Sequence, residues 1–322
     1  MIDLEVRGSG EMKINILMST YNGEKYLSQQ IESIINQTEK NWHLIIRDDG
    51  SKDDTIAIIE KFINRDTRIE LIRGENIGVI ASFFQLTKYE KADFYFFCDQ
   101  DDVWLPEKLK MMLDEAQHHE KQIPLLVYSD LKVVDRNLNI LYPSMIKEVT
   151  GPACTNLKEV MRRNCVTGCA SMINNALAEK WVNTEGIIMH DWYLAQIAAA
   201  YNNLIYLNHP TILYRQHENN VLGGGKGNLT SKLVDMKSNG YTNLAWREIL
   251  REQKQLSHVF SILPETNENK KTIKKYLDVI NEVWIKRFFI MLHFQKGNTK
   301  KIYLILRTWL IVTKIGYKKF RF

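Results

Sequence analysis

Apolar residues along the chain fall into short runs that stop abruptly at polar clusters, and the order repeats. Residues 14–18 form a strand-like run ending at Ser19-Thr20-Tyr21-Asn22-Gly23, after which Tyr26, Leu27, Ile31, Ile34 and Ile35 recur at helical spacing across 24–37. A second run, 42–47, ends in Asp48-Asp49-Gly50-Ser51, and 56–63 is again helical. The third, 68–73, leads through Gly74-Glu75-Asn76-Ile77-Gly78 to a helix over 79–89. The fourth, 94–98, runs directly into Asp99-Gln100-Asp101-Asp102. This alternation with short connections predicts an α/β fold, a mostly parallel central sheet with helices on both faces. Open sheets of that class collect ligands at the carboxyl ends of their strands, so the four clusters are predicted to line one crevice.

Farther along, 125–129 reads as a fifth strand, 156–163 as a helix, and 166–173, which includes Gly168, as a small-residue strand that a ligand or backbone approaches closely. A short helix at 176–181 precedes His190-Asp191-Trp192, which opens a helix running to 201. Strand-like 204–208 and 211–214 flank Pro210 and lead into Arg215-Gln216-His217. Gly223-Gly224-Gly225-Lys226-Gly227 has no preceding strand and lacks the Gly-Lys-Ser/Thr ending of a phosphate-binding loop, and reads as a lid or linker. After it the pattern is helical alone, over 244–260, 270–294 and 299–314. The chain therefore divides into an N-terminal extension (1–11), an α/β domain (12–227) and a C-terminal helical region (228–322).

Charge sharpens that division. The net charge is +5, yet residues 286–322 hold ten Lys or Arg and no Asp or Glu, leaving 33 basic against 38 acidic residues before them. A basic, aromatic final segment suits either a helix lying on an anionic membrane face or one packed on the α/β domain with solvated lysines. No nucleic-acid recognition motif accompanies the charge. The four cysteines, Cys98, Cys154, Cys165 and Cys169, include no Cys-x-x-Cys pair, which reads as reduced thiols without a structural zinc site. The first eleven residues have no apolar secretory core, and no run of 18 apolar residues suggests a spanning helix, so a cytoplasmic location is expected.

The strongest chemical signal is Asp99-Gln100-Asp101-Asp102, three carboxylates in four positions after an aromatic strand. Buried carboxylates are costly unless paired or bound to a cation. The Asp-x-Asp spacing puts two of them on one side of an extended segment, where they suit Mg²⁺ or Mn²⁺ that also holds phosphate oxygens. A turn with Asp101 or Asp102 as helix cap is the alternative, and Asp191 likewise reads as an N-cap by itself.

Taken together, Ser19-Thr20-Tyr21-Asn22-Gly23, Asp48-Asp49-Gly50-Ser51, Asn76-Ile77-Gly78-Val79, Asp99-Gln100-Asp101-Asp102 and His190-Asp191-Trp192 resemble, in order, the inverting metal-dependent glycosyltransferases of family 2, which have the GT-A fold. The resemblance spans about 13–220. The runs 126–134 and Tyr214-Arg215-Gln216-His217 are similar to streptococcal rhamnosyltransferases of cell-wall polysaccharide synthesis. It implies nucleotide contacts at Ser19, Thr20, Tyr21, Asn22, Asp48, Asn76, Asp99 and Gln100. It implies metal ligands at Asp101, Asp99 and His217, and a general base at Asp191. Donor or acceptor positioning would fall to Asp102, Gly168, His190, Trp192 and Arg215. The expected donor is dTDP-rhamnose and the expected acceptor a lipid-linked saccharide at the inner membrane surface, with the protein peripheral there. The C-terminal helices are also candidates for a homodimer interface. Other readings keep the fold with a UDP-hexose or UDP-N-acetylhexosamine donor, or make the protein a nucleotidyltransferase or a non-catalytic membrane scaffold. A nucleotidyltransferase would carry a basic Gly-rich loop after the first strand, and here no basic residue precedes Lys25 in that loop.

Overall fold

The computed structural model describes residues 12–217, 241–295 and 302–317. The predicted extension at 1–11, the boundary near 227 with its glycine-rich stretch, and the basic residues 300–301 and 318–322 lie outside the described residues.

Four β-α repeats open the fold. They are β1 (Ile14–Thr20), α1 (Leu27–Ile35), β2 (His43–Asp48), α2 (Thr55–Ile63), β3 (Ile69–Arg73), α3 (Val79–Tyr89) and β4 (Phe94–Cys98), followed by the short β5 (Val103–Trp104) and α4 (Lys108–Ala116). Next come β6 (Leu126–Val134), β7 (Ile140–Tyr142), α5 (Leu157–Val160), β8 (Ser171–Asn174), α6 (Asn175–Lys180), α7 (His190–Ala200) and β9 (Leu204–Arg215). All the strands join one sheet in the order β3-β2-β1-β4-β8-β6-β9-β5, with β7 beside β6. The β3-β2-β1-β4 half is parallel, β8 runs antiparallel between β4 and β6, and β9 returns parallel to β6.

Side chains alternate between two apolar layers, as the pleat requires. Ile16, Met18, Leu44, Ile46, Phe94 and Phe96 face a layer closed by Leu27, Ile31 and Ile34 of α1, Ile59 of α2 and Leu109 and Met112 of α4. Leu17, Ile45, Tyr95 and Phe97 face the opposite layer, closed by Phe83 and Leu86 of α3 and by α7. With both faces covered, β1 and β4 read as continuous apolar runs. In register, Thr20 stands opposite Asp48 and Met18 opposite Cys98, so the loops after β1, β2 and β4 emerge level with one another.

Helix α7 has every residue buried. Its other side meets α8 (Tyr241–Ile262), which is followed by α9 (Lys270–Leu277), α10 (Trp284–Gln295) and α11 (Ile302–Thr313). Gln255 of α8 donates to Gln196 of α7 at 3.1 Å and accepts from the Ile188 amide at 2.7 Å. Asn267 and Asn269 cap the carbonyl of Ala200 at 3.0 and 3.1 Å. Arg307 of α11 pairs with the buried Glu252 of α8, and Trp246 donates to the carbonyl of Ile315 at 2.7 Å. The C-terminal helices therefore share one core with the α/β layer.

Four expectations need correcting. Cys154 and Cys165 are joined in a disulfide, because the loop containing α5 folds back and brings their Cα atoms to 6.0 Å; Cys98 and Cys169 are the free thiols. The segment 270–294 is not one helix. It breaks at a 3-10 turn over Asp278–Asn281, where β-branched Val279 and Ile280, weak helix formers, are buried instead at a corner. Strands 204–208 and 211–214 are one strand, since a register shift where Pro210 opposes Asp130 absorbs the missing proline N–H. Residues 103–104, which the helix-cap alternative for Asp101 or Asp102 put in a turn before a helix, instead pair with β9 as β5. Among the described residues no helix is long and apolar enough to cross a membrane.

If the C-terminal helices belong to this core, Trp246→Ala should destabilise the whole protein by about 3–5 kcal/mol. Urea unfolding followed by far-UV dichroism checks this: a single transition moved to lower urea is expected.

Candidate active site

The loops after β1, β2 and β4, the N-terminus of α7 and the end of β9 enclose a cleft of about 700 Å³. Its wall includes Ser19, Thr20, Tyr21, Asn22, Asn76, Asp99, Gln100, Asp101, Gly168, His190, Asp191 and His217. Acidic residues as far apart in sequence as Asp99 and Asp191 therefore share one space.

The loops are tied together before any ligand enters. Gln100 grips the loop after β1 with both ends of its amide, accepting from the Tyr21 amide at 2.9 Å and donating to the Tyr21 carbonyl at 3.1 Å. Asn22, at φ 49°, accepts from the Lys52 amide at 2.9 Å, and Ser51 Oγ accepts from the Asn22 amide at 2.8 Å.

Asp191 lies in the first turn of α7. Its Oδ1 accepts from the Trp192 amide at 2.6 Å and from Asn164 Nδ2 at 3.0 Å. Burial pushes its carboxyl up to about 6, and the hydrogen bonds from Trp192, Asn164 and Gly168 only partly offset that. Asp99 is also raised, by burial first and then by repulsion from Asp101 and Asp191. Asp101 Oδ2 is 2.7 Å from His217 Nε2. A carboxylate pair that repels itself beside an imidazole, open to a cleft, is a donor set that suits a hard divalent cation. Another group, Asp99, Asp102 and Cys169, has its potential ligand atoms within 4.8 Å. Burial raises the Cys169 thiol far above its usual range, and the Lys108 ammonium approaches its carbonyl at 3.1 Å. A protonated thiol next to an ammonium is a poor seat for Mg²⁺ or Mn²⁺.

His190 is buried in an aromatic nest, with ring centroids of Phe83, Phe97 and Trp181 at 4.6, 5.0 and 6.2 Å. Burial takes its pKa down to about 3, so the ring is neutral, and neither nitrogen has a hydrogen-bond partner among the described residues. Gly168 explains the fit: a Cβ there would sit 2.9 Å from His190 Nε2 and 3.7 Å from Asp191 Oδ2.

Four expected site residues are buried behind the wall. Asp48 accepts from the Gly50 and Ser51 amides at 3.1 and 2.9 Å and from the Thr20 hydroxyl at 3.0 Å, so its carboxylate shapes the turn; its neighbour Asp49, paired with Arg47, faces the cleft. Asp102 accepts from the Arg215 amide at 3.0 Å. Arg215 donates to the carbonyls of Asp101 and Arg136 at 2.8 and 2.7 Å, fixing the acidic loop from beneath. Trp192 donates to the Val160 carbonyl at 2.6 Å and so holds the disulfide-closed loop that carries Asn164. The sequence put Asp49 beside Asp48 at the crevice but assigned the nucleotide contact to Asp48 alone, and it gave no role to Arg136, Asn164, Thr167 or Gln216.

The comparisons with known proteins give the class to which this fold and cleft belong. The family pattern of Glycosyl transferase family 2 matches residues 15–181, and the chain belongs to that family. It is 31% identical over 229 residues to the dTDP-rhamnosyl transferase RfbG of Shigella flexneri, covering 64% of this chain and 73% of that one. It is 26% identical over 196 residues to the Escherichia coli UDP-Glc:alpha-D-GlcNAc-diphosphoundecaprenol beta-1,3-glucosyltransferase WfgD, covering 61% and 73%. Among solved structures, Staphylococcus aureus TarS 1–349 shares the fold at 16% identity and TM-score 0.53, over 97% of this chain and 93% of that one. The Pyrobaculum calidifontis mannosyltransferase PcManGT does so at 9% and 0.54, over 97% and 82%. The protein is a glycosyltransferase with a GT-A-like fold.

Gly168→Ala should lower kcat for sugar transfer by about 100-fold, since the added carbon must displace the His190 ring or the Asp191 carboxylate. Steady-state kinetics beside a nucleotide titration check this, with affinity expected to change far less than kcat.

Proposed function

We propose that the enzyme transfers L-rhamnose from dTDP-β-L-rhamnose to a hydroxyl of a lipid-linked saccharide with inversion, in polysaccharide synthesis at a membrane face. The observation that carries the chemistry is the placement of Asp191 in the same cleft as Asp99 and Asp101. The likeness to a dTDP-rhamnosyl transferase over 229 residues supports the donor. A UDP-sugar donor is the competing reading, favoured by the likeness to WfgD.

In this reading Asp191 takes the proton from the acceptor hydroxyl as its oxygen attacks the anomeric carbon, opposite the departing nucleoside diphosphate. The hydrogen bonds from Asn164 and Trp192 aim the carboxylate, and burial raises its basicity into the working range. Asp101, Asp99 and His217 would hold Mg²⁺ or Mn²⁺, which when bound would offset negative charge on the leaving diphosphate. Ser19, Tyr21, Asn22 and Asn76 line the nucleotide end, joined by Asp49.

Asp191→Asn should reduce transfer by about 10²–10⁴-fold while dTDP affinity stays within about twofold. Because the base must be ionised and its pKa is raised to about 6, kcat/KM of the parent should fall as pH drops through 6, tenfold per unit below it. A variant with normal turnover, or a flat profile between pH 5 and 7, contradicts the assignment.

Asp101→Ala should abolish the extra thermal stabilisation that Mn²⁺ gives to the dTDP complex. Thermal-shift titrations of dTDP- and UDP-sugars with Mn²⁺ and with chelator check this, and a larger shift with a UDP-sugar would move the donor assignment.

A further inference from the structure

The sequence points to the last helix as the membrane-seeking element, but the structure puts the stronger feature one helix earlier. On α10 the inner side is built into the core: Met291 and Phe294 are buried, and Arg287 donates to the Val312 carbonyl at 2.9 and 2.7 Å. The outer side is apolar as well. Trp284 and Phe289 are 63% and 64% exposed, and Val283, Ile285, Phe288 and Leu292 are exposed with them. On α11, Arg307, Leu310 and Ile311 face inward, while Ile305 and Trp309 face out. The segment expected to lie on a membrane is thus partly a packing helix, set against the other C-terminal helices. Together α10 and α11 form a fixed platform with an aromatic outer surface.

An apolar surface of this extent left in water marks an interaction site. Its charge setting selects the occupant. From residue 283 to the end the sequence has no Asp or Glu and ten Lys or Arg. Lys286, in the middle of the aromatic cluster, is well exposed, and its ion pair is with Glu282, the last acidic residue before the patch. A second copy meeting this face would bring two such basic segments together, a like-charge cost that a dimer interface avoids. An anionic bilayer satisfies both components. Tryptophan and phenylalanine settle at the boundary between headgroups and acyl chains, and lysines pair with lipid phosphates around them.

We propose that the outer face of α10, with Trp309 and Ile305 of α11, is a docking surface for an anionic lipid bilayer. This deepens the lipid-linked-acceptor reading but does not depend on which sugar is transferred. The full chain should co-sediment with phosphatidylcholine vesicles containing phosphatidylglycerol, and at least about tenfold less with phosphatidylcholine alone. The triple variant Trp284→Ser, Phe288→Ser, Phe289→Ser changes exposed side chains only. It should lose at least about tenfold in partition onto the anionic vesicles, while transfer to a soluble saccharide acceptor stays unchanged. Unchanged partition of the variant overturns the proposal, as does absence of binding by the parent. Light scattering that shows a parent dimer and a variant monomer also overturns it, in favour of a second copy. Loss of transfer to the soluble acceptor without loss of partition would count against both the docking face and its separation from the chemistry.

Discussion

The site depends on carboxylates from distant parts of the chain being brought into one cleft. Burial raises Asp99, repulsion from Asp101 and Asp191 adds to that, and all three line the cleft. The strands bring this about: β1, β2 and β4 end level, so that loops rich in Asp, Asn and Ser project side by side, and the antiparallel β8 leads on towards α7. Such crowding costs stability unless something answers it. Part of the answer is internal, in the hydrogen bonds that Asn164 and Trp192 give to Asp191. Another part is the contact of Asp101 Oδ2 with His217 Nε2 at 2.7 Å.

Rigidity behind the cleft follows from α7. A helix buried on all sides can tolerate no slack, and the alanines at 195, 198, 199 and 200 let its neighbours approach closely. Because α8 closes its outer face, the C-terminal helices help to fix the position of Asp191 although none of them lines the cleft. Arg215 does the same for the acidic loop, holding the Asp101 carbonyl from below. Residues whose sequence motifs suggest substrate contacts here support the residues that line the cleft.

His190 has a different role from its neighbours. Its ring is neutral, enclosed by Phe83, Phe97 and Trp181 and overlain by Gly168, and among the described residues it has no hydrogen-bond partner. It is a shape element beside Asp191, and the absence of a side chain at residue 168 is the condition for that shape.

The sequence by itself determined the α/β repeats, the polar clusters at strand ends, the shared crevice and the basic C-terminal charge, because each follows from local periodicity or from counting residues. Tertiary structure decided what local pattern cannot carry. Which of Asp48 and Asp49 faces the cleft depends on strand parity, and parity is invisible when both faces of β2 are apolar. The Cys154–Cys165 pairing, the grip of Asn164 on Asp191 and the break at Asp278–Asn281 are contacts and corners between segments far from one another or freshly turned. The choice between buried and exposed apolar residues on α10 is of the same kind: hydrophobicity is written in the chain, but only packing says which half of it the core has room for.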